Sequence, residues 1–121
     1  NNSFHGSEIN SILIPFSVIK ICRSSFEDCE NLIDIQFESN SELKIIEKSA
    51  FSYTSIRSIS IPKHVTKIEC NVFESCEELQ LFEIDDDSEL LELNQSVFED
   101  CNDVLIMIPA RFKDHPDFLQ L

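Results

Sequence analysis

One phrase recurs along this chain at a fixed distance. Ile59-Ser60-Ile61-Pro62 is followed by Val65, Ile68 and Phe73-x-x-Cys76-x-x-Leu79. Ile12-Leu13-Ile14-Pro15 is followed by Val18, Ile21, Phe26, Cys29 and Leu32, and the opening returns at Ile106-Met107-Ile108-Pro109. Pro15, Pro62 and Pro109 are 47 residues apart. A period of this length marks a stacked array. Each unit is too small to bury its own apolar row, and its neighbours complete the core.

The 47-residue unit divides in two. Its landmark is a phenylalanine at positions 4, 26, 51, 73 and 98, at intervals of 22, 25, 22 and 25. Three residues later comes a small side chain (Ser7, Cys29, Thr54, Cys76, Cys101), and then an apolar one (Ile9, Leu32, Ile56, Leu79, Val104). An alternating pair follows: Ile12/Ile14, Ile35/Phe37, Ile59/Ile61, Phe82/Ile84 and Ile106/Ile108. Period two, with residues that favour extended backbone, predicts a short strand with one buried face. The Phe-x-x-Cys-x-x-Leu spacing of three predicts a helical or 3₁₀ turn on the opposite side, too short to stand alone. A second apolar pair, three apart, completes each unit (Val18/Ile21, Leu43/Ile46, Val65/Ile68, Leu90/Leu93).

The difference between 22 and 25 is expected at one place, the link after the strand. Pro15, Pro62 and Pro109 turn the chain at once, because proline fixes φ and removes a donor. Phe37 and Ile84 lead instead into polar links, 38–42 and 83–89, whose Asn, Ser and Asp side chains favour turns. Short and long loops should alternate along one edge. Both ends are irregular. At 110–121, Phe112, His115 and Gln120 replace expected apolar residues, Pro116 interrupts the return, and Phe118, Leu119 and Leu121 fit a C-terminal cap or the start of an interrupted unit. Residues 1–121 are expected to form a single domain of about five incomplete repeats, a fragment of a longer array.

The formal net charge is −14, from 23 acidic and 9 basic residues. Such a surface repels nucleic acid and anionic lipid, and suits a basic protein partner, divalent cations or simple solubility. No apolar run approaches the 18 residues of a membrane span. The cysteines, at 22, 29, 70, 76 and 101, match no zinc spacing. Cys29, Cys76 and Cys101 share one repeat position, which points to small buried side chains. Cys76 and Cys101 lie in neighbouring repeats, so a disulfide between them is the alternative. Cys22 and Cys70 fall beside apolar positions, toward the surface.

The segment from Pro15 to Pro62 reads Ile-Pro-x-x-Val-x-x-Ile, Phe-x-x-Cys-x-x-Leu-x-x-Ile-x-Phe, Ser-x-Leu-x-x-Ile-x-x-x-Ala-Phe and Thr-x-Ile-x-Ser-Ile-x-Ile-Pro. It resembles the leucine-rich repeats of the BspA-like surface protein family, across roughly residues 4–109. The resemblance implies an α/β-type leucine-rich repeat solenoid. In it, a right-handed arc carries short parallel strands on its concave side and short helical or 3₁₀ turns on its convex side. It implies roles in cell-surface adhesion and host-matrix or host-cell binding, and it carries no catalytic motif. The glycine usual before the family's Ala-Phe pair is missing, its equivalents being Arg23, Lys48, Asn71 and Gln95 within one residue.

Alternation along the strands points Leu13, Asp34, Gln36, Ser58, Ser60, Leu81, Glu83, Leu105 and Met107 away from the core. These are the candidate protein-binding surface, an apolar stripe beside acidic residues that suits a hydrophobic anchor flanked by Lys or Arg. Ordinary surface scatter, or contact with flanking repeats, is the alternative. The run Asp85-Asp86-Asp87-Ser88-Glu89 offers oxygen ligands for a hard cation but lacks EF-hand spacing, so a solvated loop is the plainer reading. His5, His64 and His115 form no motif, and a single glycine excludes a Gly-rich phosphate loop. No cofactor and no enzymatic activity are expected. Sequons at Asn1-Asn2-Ser3 and Asn94-Gln95-Ser96 are glycan acceptors if the chain is exported. The expected function is a protein-interaction or adhesion module at a cell surface, with a protein or matrix macromolecule as partner and no nucleic acid. An intracellular scaffold and a structural spacer are the alternatives.

Overall fold

The computed structural model describes residues 4–91, 93 and 95–109. Eight strands follow one another: β1 Ser11–Ile14, β2 Lys20–Ile21, β3 Asp34–Phe37, β4 Ile45–Ile46, β5 Ser58–Ile61, β6 Lys67–Ile68, β7 Leu81–Ile84 and β8 Leu105–Met107. All pairings are parallel. The odd strands β1, β3, β5 and β7, with β8, form the long-strand, concave face of a β-solenoid. The two-residue strands β2, β4 and β6 form a second side, and the phenylalanine turns form the third.

Alternation decides the long strands. Ile14, Ile35, Ile59, Ile61, Phe82 and Ile84 are buried, while their neighbours on the strand face outward. The pair spaced by three behaves differently from a helical turn. Val65 and Ile68 are both buried, and Lys67–Ile68 is a strand with Lys67 pointing out. Each of the first three repeats therefore contributes two strands, where one was expected. Of the expected helical or 3₁₀ returns, one is established. Among the described residues the only helical element is the 3₁₀ turn Gln95–Phe98. Elsewhere the Phe segment is a chain of i→i+3 turns, such as Cys29 N–H to Phe26 O at 3.1 Å and Leu32 N–H to Cys29 O at 3.0 Å. Left-handed residues two before and two after the phenylalanine break any helix: Ser24 and Asp28, Ser49 and Tyr53, Asn71 and Ser75. Ser24 and Ser49, one residue past Arg23 and Lys48, occupy the turn where glycine is usual, within the one-residue margin expected. Asn71 does so as expected, and Gln95 opens the 3₁₀ turn instead.

Strand register shows where the repeat lengths differ. Ser11 pairs with Asp34, 23 residues on, and Leu81 with Leu105, 24 on. On the second side Lys20 pairs with Ile45, 25 on, and Ile45 with Lys67, 22 on. The variation is thus shared between two connections, the polar link and the return from the phenylalanine turn, rather than confined to the link.

The long-strand face is not one continuous sheet. β1 pairs with β3, and β5 with β7 and β8, but β3 and β5 share no ladder. They are joined only before the strands, by Ser55 N–H to Leu32 O at 3.0 Å and Arg57 N–H to Ile33 O at 3.4 Å. The proline explains the far end. In the β1–β3 pair, Glu38 N–H closes the ladder on Ile14 O at 2.9 Å. The position after β5 is Pro62, which has no N–H to give back to β3. Likewise the β7–β8 pairing stops at Glu83 and Met107, short of Pro109, and spans three residues rather than four.

A phenylalanine spine runs through the core. Phe4, Phe26, Phe51, Phe73 and Phe98 stack with centroids 5.2, 5.3, 5.7 and 6.0 Å apart and interplanar angles of 2° to 10°. Phe82 meets Phe73 and Phe98 edge-on, at 5.9 and 5.0 Å. Each contact adds about 0.5–1.5 kcal/mol beyond the burial itself.

Candidate interaction face

The candidate residues fall in two rows across the strands. One row reads Ser11, Asp34, Ser58, Leu81, Leu105; the other reads Leu13, Gln36, Ser60, Glu83, Met107. Side chains opposite one another in a ladder are close enough to act as one surface. Leu105 and Met107 are 61 % and 50 % exposed, and Leu81 and Glu83 beside them are half-buried. Leu81, Leu105 and Met107 therefore make one apolar patch with Glu83 at its margin. Ser60 Oγ donates to Glu83 Oε1 at 2.7 Å and orients that carboxylate. Leu13, 55 % exposed, does not join them: it sits on β1 opposite Gln36. Asp34, Gln36, Ser58 and Ser60 occupy the centre of the face as an exposed polar stretch, with Gln36 Nε2 donating to Asp34 Oδ2 at 3.4 Å. The stripe expected from alternation is thus an apolar patch at one end and a lone leucine at the other.

The loops on the proline edge are tied together across repeats. Glu42 N–H donates to Phe16 O, and Glu89 N–H to Lys63 O, each at 2.9 Å and 47 residues apart in the repeat. The acidic run is met by basic side chains from the preceding turn. Lys63 Nζ lies 3.7 Å from Asp87 Oδ2, and His64 Nδ1 lies 2.9 Å from Glu89 Oε2. Among the described residues, no group of three or more His, Cys, Asp or Glu side chains is placed to hold a metal ion.

All five cysteines are free thiols, so the Cys76–Cys101 bridge is not formed. The shared position has a different job. Cys29 donates to Phe4 O at 2.9 Å, Cys76 to Phe51 O at 3.1 Å and Cys101 to Phe73 O at 3.0 Å. Each thiol thus satisfies a carbonyl of the preceding repeat, a cross-link between turns. Thr54 Oγ1 serves the same position by donating to its own Phe51 O at 2.9 Å. Burial pushes the Cys76 thiol upward, and burial with the neighbouring Cys76 sulfur pushes Cys101 to about 11, so both remain protonated donors. Cys70 is exposed and Cys22 half-buried. The 110–121 cap and Asn94 lie outside the described residues.

Strand alternation missed one feature. An open groove of about 450 Å³ runs along the corner between the phenylalanine turns and the long strands, lined by Glu30, Asn31, Tyr53, Ser55, Glu77 and Glu78 among others. The signal was present four and five residues after Phe26 and Phe73, at Glu30-Asn31 and Glu77-Glu78. The sequence does not show that these positions form a concave edge.

The sequence profile of the BspA type leucine-rich repeat region matches residues 1–117, in six copies. A leucine-rich cell surface protein from Faecalibacterium prausnitzii superposes with a TM-score of 0.66 at 30 % identity, over 73 % of this chain and 22 % of that one. The pneumococcal vaccine antigen PcpA superposes with a TM-score of 0.73 at 23 % identity, over 82 % of this chain and 26 % of that one, and supports the fold. The chain spans about a quarter of the length of these structures. No curated protein sequence matches it.

Proposed function

Because the chain belongs to the BspA-type leucine-rich repeat family, we propose that it is a non-enzymatic protein-interaction or adhesion module, one repeat domain of a longer array at a cell surface. It binds a macromolecular partner through the concave strand face. The observation that carries this reading is the patch of Leu81, Leu105 and Met107 beside Glu83, on ladder neighbours of a face otherwise polar but for Leu13. An apolar centre with a charged margin is the composition that concentrates binding energy in protein interfaces. Surface placement draws support from the Faecalibacterium prausnitzii relative, described as a cell surface protein. The partner's complementary feature is an aliphatic or aromatic anchor next to a Lys or Arg.

The test is capture of surface proteins from candidate partner cells on the immobilised chain, compared with Leu105→Ser/Met107→Ser. The double variant loses the captured partner by tenfold or more, on the order of a two-residue hot spot, while keeping its circular dichroism spectrum. Unchanged capture moves the binding surface elsewhere and favours a spacer role for this segment.

A further inference from the structure

The charge on this molecule is segregated by side, and the second side carries most of its cations. Of the seven Lys and Arg among the described residues, five lie on or next to β2, β4 and β6: Lys20, Arg23, Lys44, Lys48 and Lys67, all exposed. Lys20 and Lys67 project from the outward face of the short strands, since Ile21 and Ile68 beside them are buried. Lys44 stands just before β4, and its N–H bonds to Ile19 O tie it to the same ladder, at 2.7 Å. Arg23 and Lys48 follow the strands by two residues, on neighbouring repeats.

Among the described residues within two positions of these strands, the two carboxylates are used inward. Glu47 Oε1 accepts Arg23 N–H at 3.1 Å, and Glu69 Oε1 accepts Lys48 N–H at 3.0 Å. Their second oxygens lie 3.9 Å from Lys20 Nζ and 3.5 Å from Lys67 Nζ. Glu47 and Glu69 thus spend their acceptors on backbone and on two of the ammonium groups, leaving the exposed Arg23, Lys44 and Lys48 heads outside both ion pairs. The acidic residues of the long-strand face stand a layer behind, about 10 Å away, comparable to the screening length of ~8 Å at physiological salt. The net negative charge therefore does not cancel this side at short range.

We propose that the β2–β4–β6 side is a docking surface for a linear sulfated polysaccharide, whose sulfate groups are held by Arg23, Lys44 and Lys48 with Lys20 and Lys67 alongside. Along the solenoid axis Arg23 and Lys48 are one strand spacing of about 4.8 Å apart and Lys20 and Lys67 are two, an array of cations that suits a linear polyanion. Sulfate oxygens accept the charge-assisted hydrogen bonds that Lys and Arg donate. A globular protein partner needs an apolar anchor at the centre, and here exposed Ile19 and Leu91 sit at opposite ends of the row containing Lys44. The outward positions Lys20, Arg23, Ile45, Lys48, Lys67 and Cys70 carry no aromatic ring on which a single-stranded nucleic acid would stack its bases. This surface is separate from the concave patch, and the two succeed or fail independently.

The experiment is fluorescence polarisation of a labelled heparin-derived oligosaccharide titrated with the 121-residue chain. Binding is expected at 50 mM NaCl and weakens about tenfold by 200 mM, as release of a few counterions requires. Lys44→Glu/Lys48→Glu loses binding at least tenfold; Arg57→Glu/Lys63→Glu, the same charge change on other sides, keeps it, as does Leu105→Ser/Met107→Ser. Lys44→Gln/Lys48→Gln gives a smaller loss and serves if the charge reversal disturbs folding, which circular dichroism reads. No binding at 50 mM NaCl overturns the proposal. So does an equal loss in both reversed variants, and so does equal affinity for polyglutamate or an oligodeoxynucleotide of matched charge.

Discussion

Nine of the described residues hold a left-handed backbone, and Gly6 is the only glycine among them. Five sit two residues after the landmark phenylalanines: Gly6, Asp28, Tyr53, Ser75 and Asp100. Asp and Asn tolerate this region, but a bulky residue such as Tyr53 at φ 61° is strained by about 1–2 kcal/mol. Tyr53 is exposed, so its ring contributes little packing in return. Tyr53→Gly is therefore expected to raise unfolding stability by up to ~1 kcal/mol, the relief of strain exceeding the entropy given to the unfolded chain. Tyr53→Val is expected to lower it by about 1 kcal/mol or more, and urea denaturation of the two variants checks the contrast. The thiols give a second prediction at this scale. Cys76 and Cys101 hold their protons above the ordinary value of 9.0, chiefly through burial. The native state then binds protons that the unfolded state releases, so stability is intact below about pH 9 and falls as pH rises toward 11. The urea midpoint should drop across that window, and Cys76→Ser/Cys101→Ser should flatten the drop, because a hydroxyl does not ionise there.

Elements are paired with unequal strength. A strand followed by a polar link closes fully on the preceding strand, as β3 does on β1 and β7 on β5, each over four residues. A strand followed by proline closes poorly, as β5 on β3 and β8 on β7. The 47-residue period is therefore a structural block of two strands with a seam between blocks. Amides with weaker pairing open more readily. Hydrogen exchange should show lower protection in residues 34–37 and 58–61, each laddered on one side only, than in 81–84, laddered on both, and Pro62→Ala, which supplies an N–H opposite β3, should slow exchange in β5. Equal protection in all three segments would remove the seam. The core elements compensate across this break, because Phe51 stacks on both Phe26 and Phe73 at 5.3 and 5.7 Å and carries the spine past it.

The whole molecule carries a net charge of −14, and the exposed ion pairs among the described residues are individually worth little. Self-repulsion is the larger effect on stability. Raising NaCl from 0.01 M to 0.15 M shortens the screening length from about 30 to 8 Å. The melting temperature should then rise by a few degrees, about 1 kcal/mol. Calcium chloride at matched ionic strength should do no more, because Lys63 and His64 already face Asp87 and Glu89 of the acidic link. A larger rise in calcium would reinstate a cation site there. At this scale the solenoid also separates its surfaces: an apolar patch on the concave end, an acidic groove along one corner, and a cationic row on the second side.

Much of this was legible in the chain. The period, the long strands, the buried Phe and Cys positions and the outward residues from Leu13 to Met107 follow from repeats and alternation, because side-chain direction on a strand depends on local backbone alone. The two-residue strands did not, because a pair spaced by three carries no period-two signal and forms a strand only through its neighbours. The turn geometry was half-legible: the missing glycine placed the bend to within one residue of Arg23 and Lys48, and the left-handed φ falls on the next residues, Ser24 and Ser49. The seam at Pro62, the separation of Leu13 from Leu81, Leu105 and Met107, and the gathering of Lys20, Arg23, Lys44, Lys48 and Lys67 on one side were decided by the tertiary structure. Each depends on which residues of other repeats, more than 20 positions away, come to lie alongside. A hydrogen bond that proline cannot give, or a cation row drawn from three repeats, exists only once the turns are stacked.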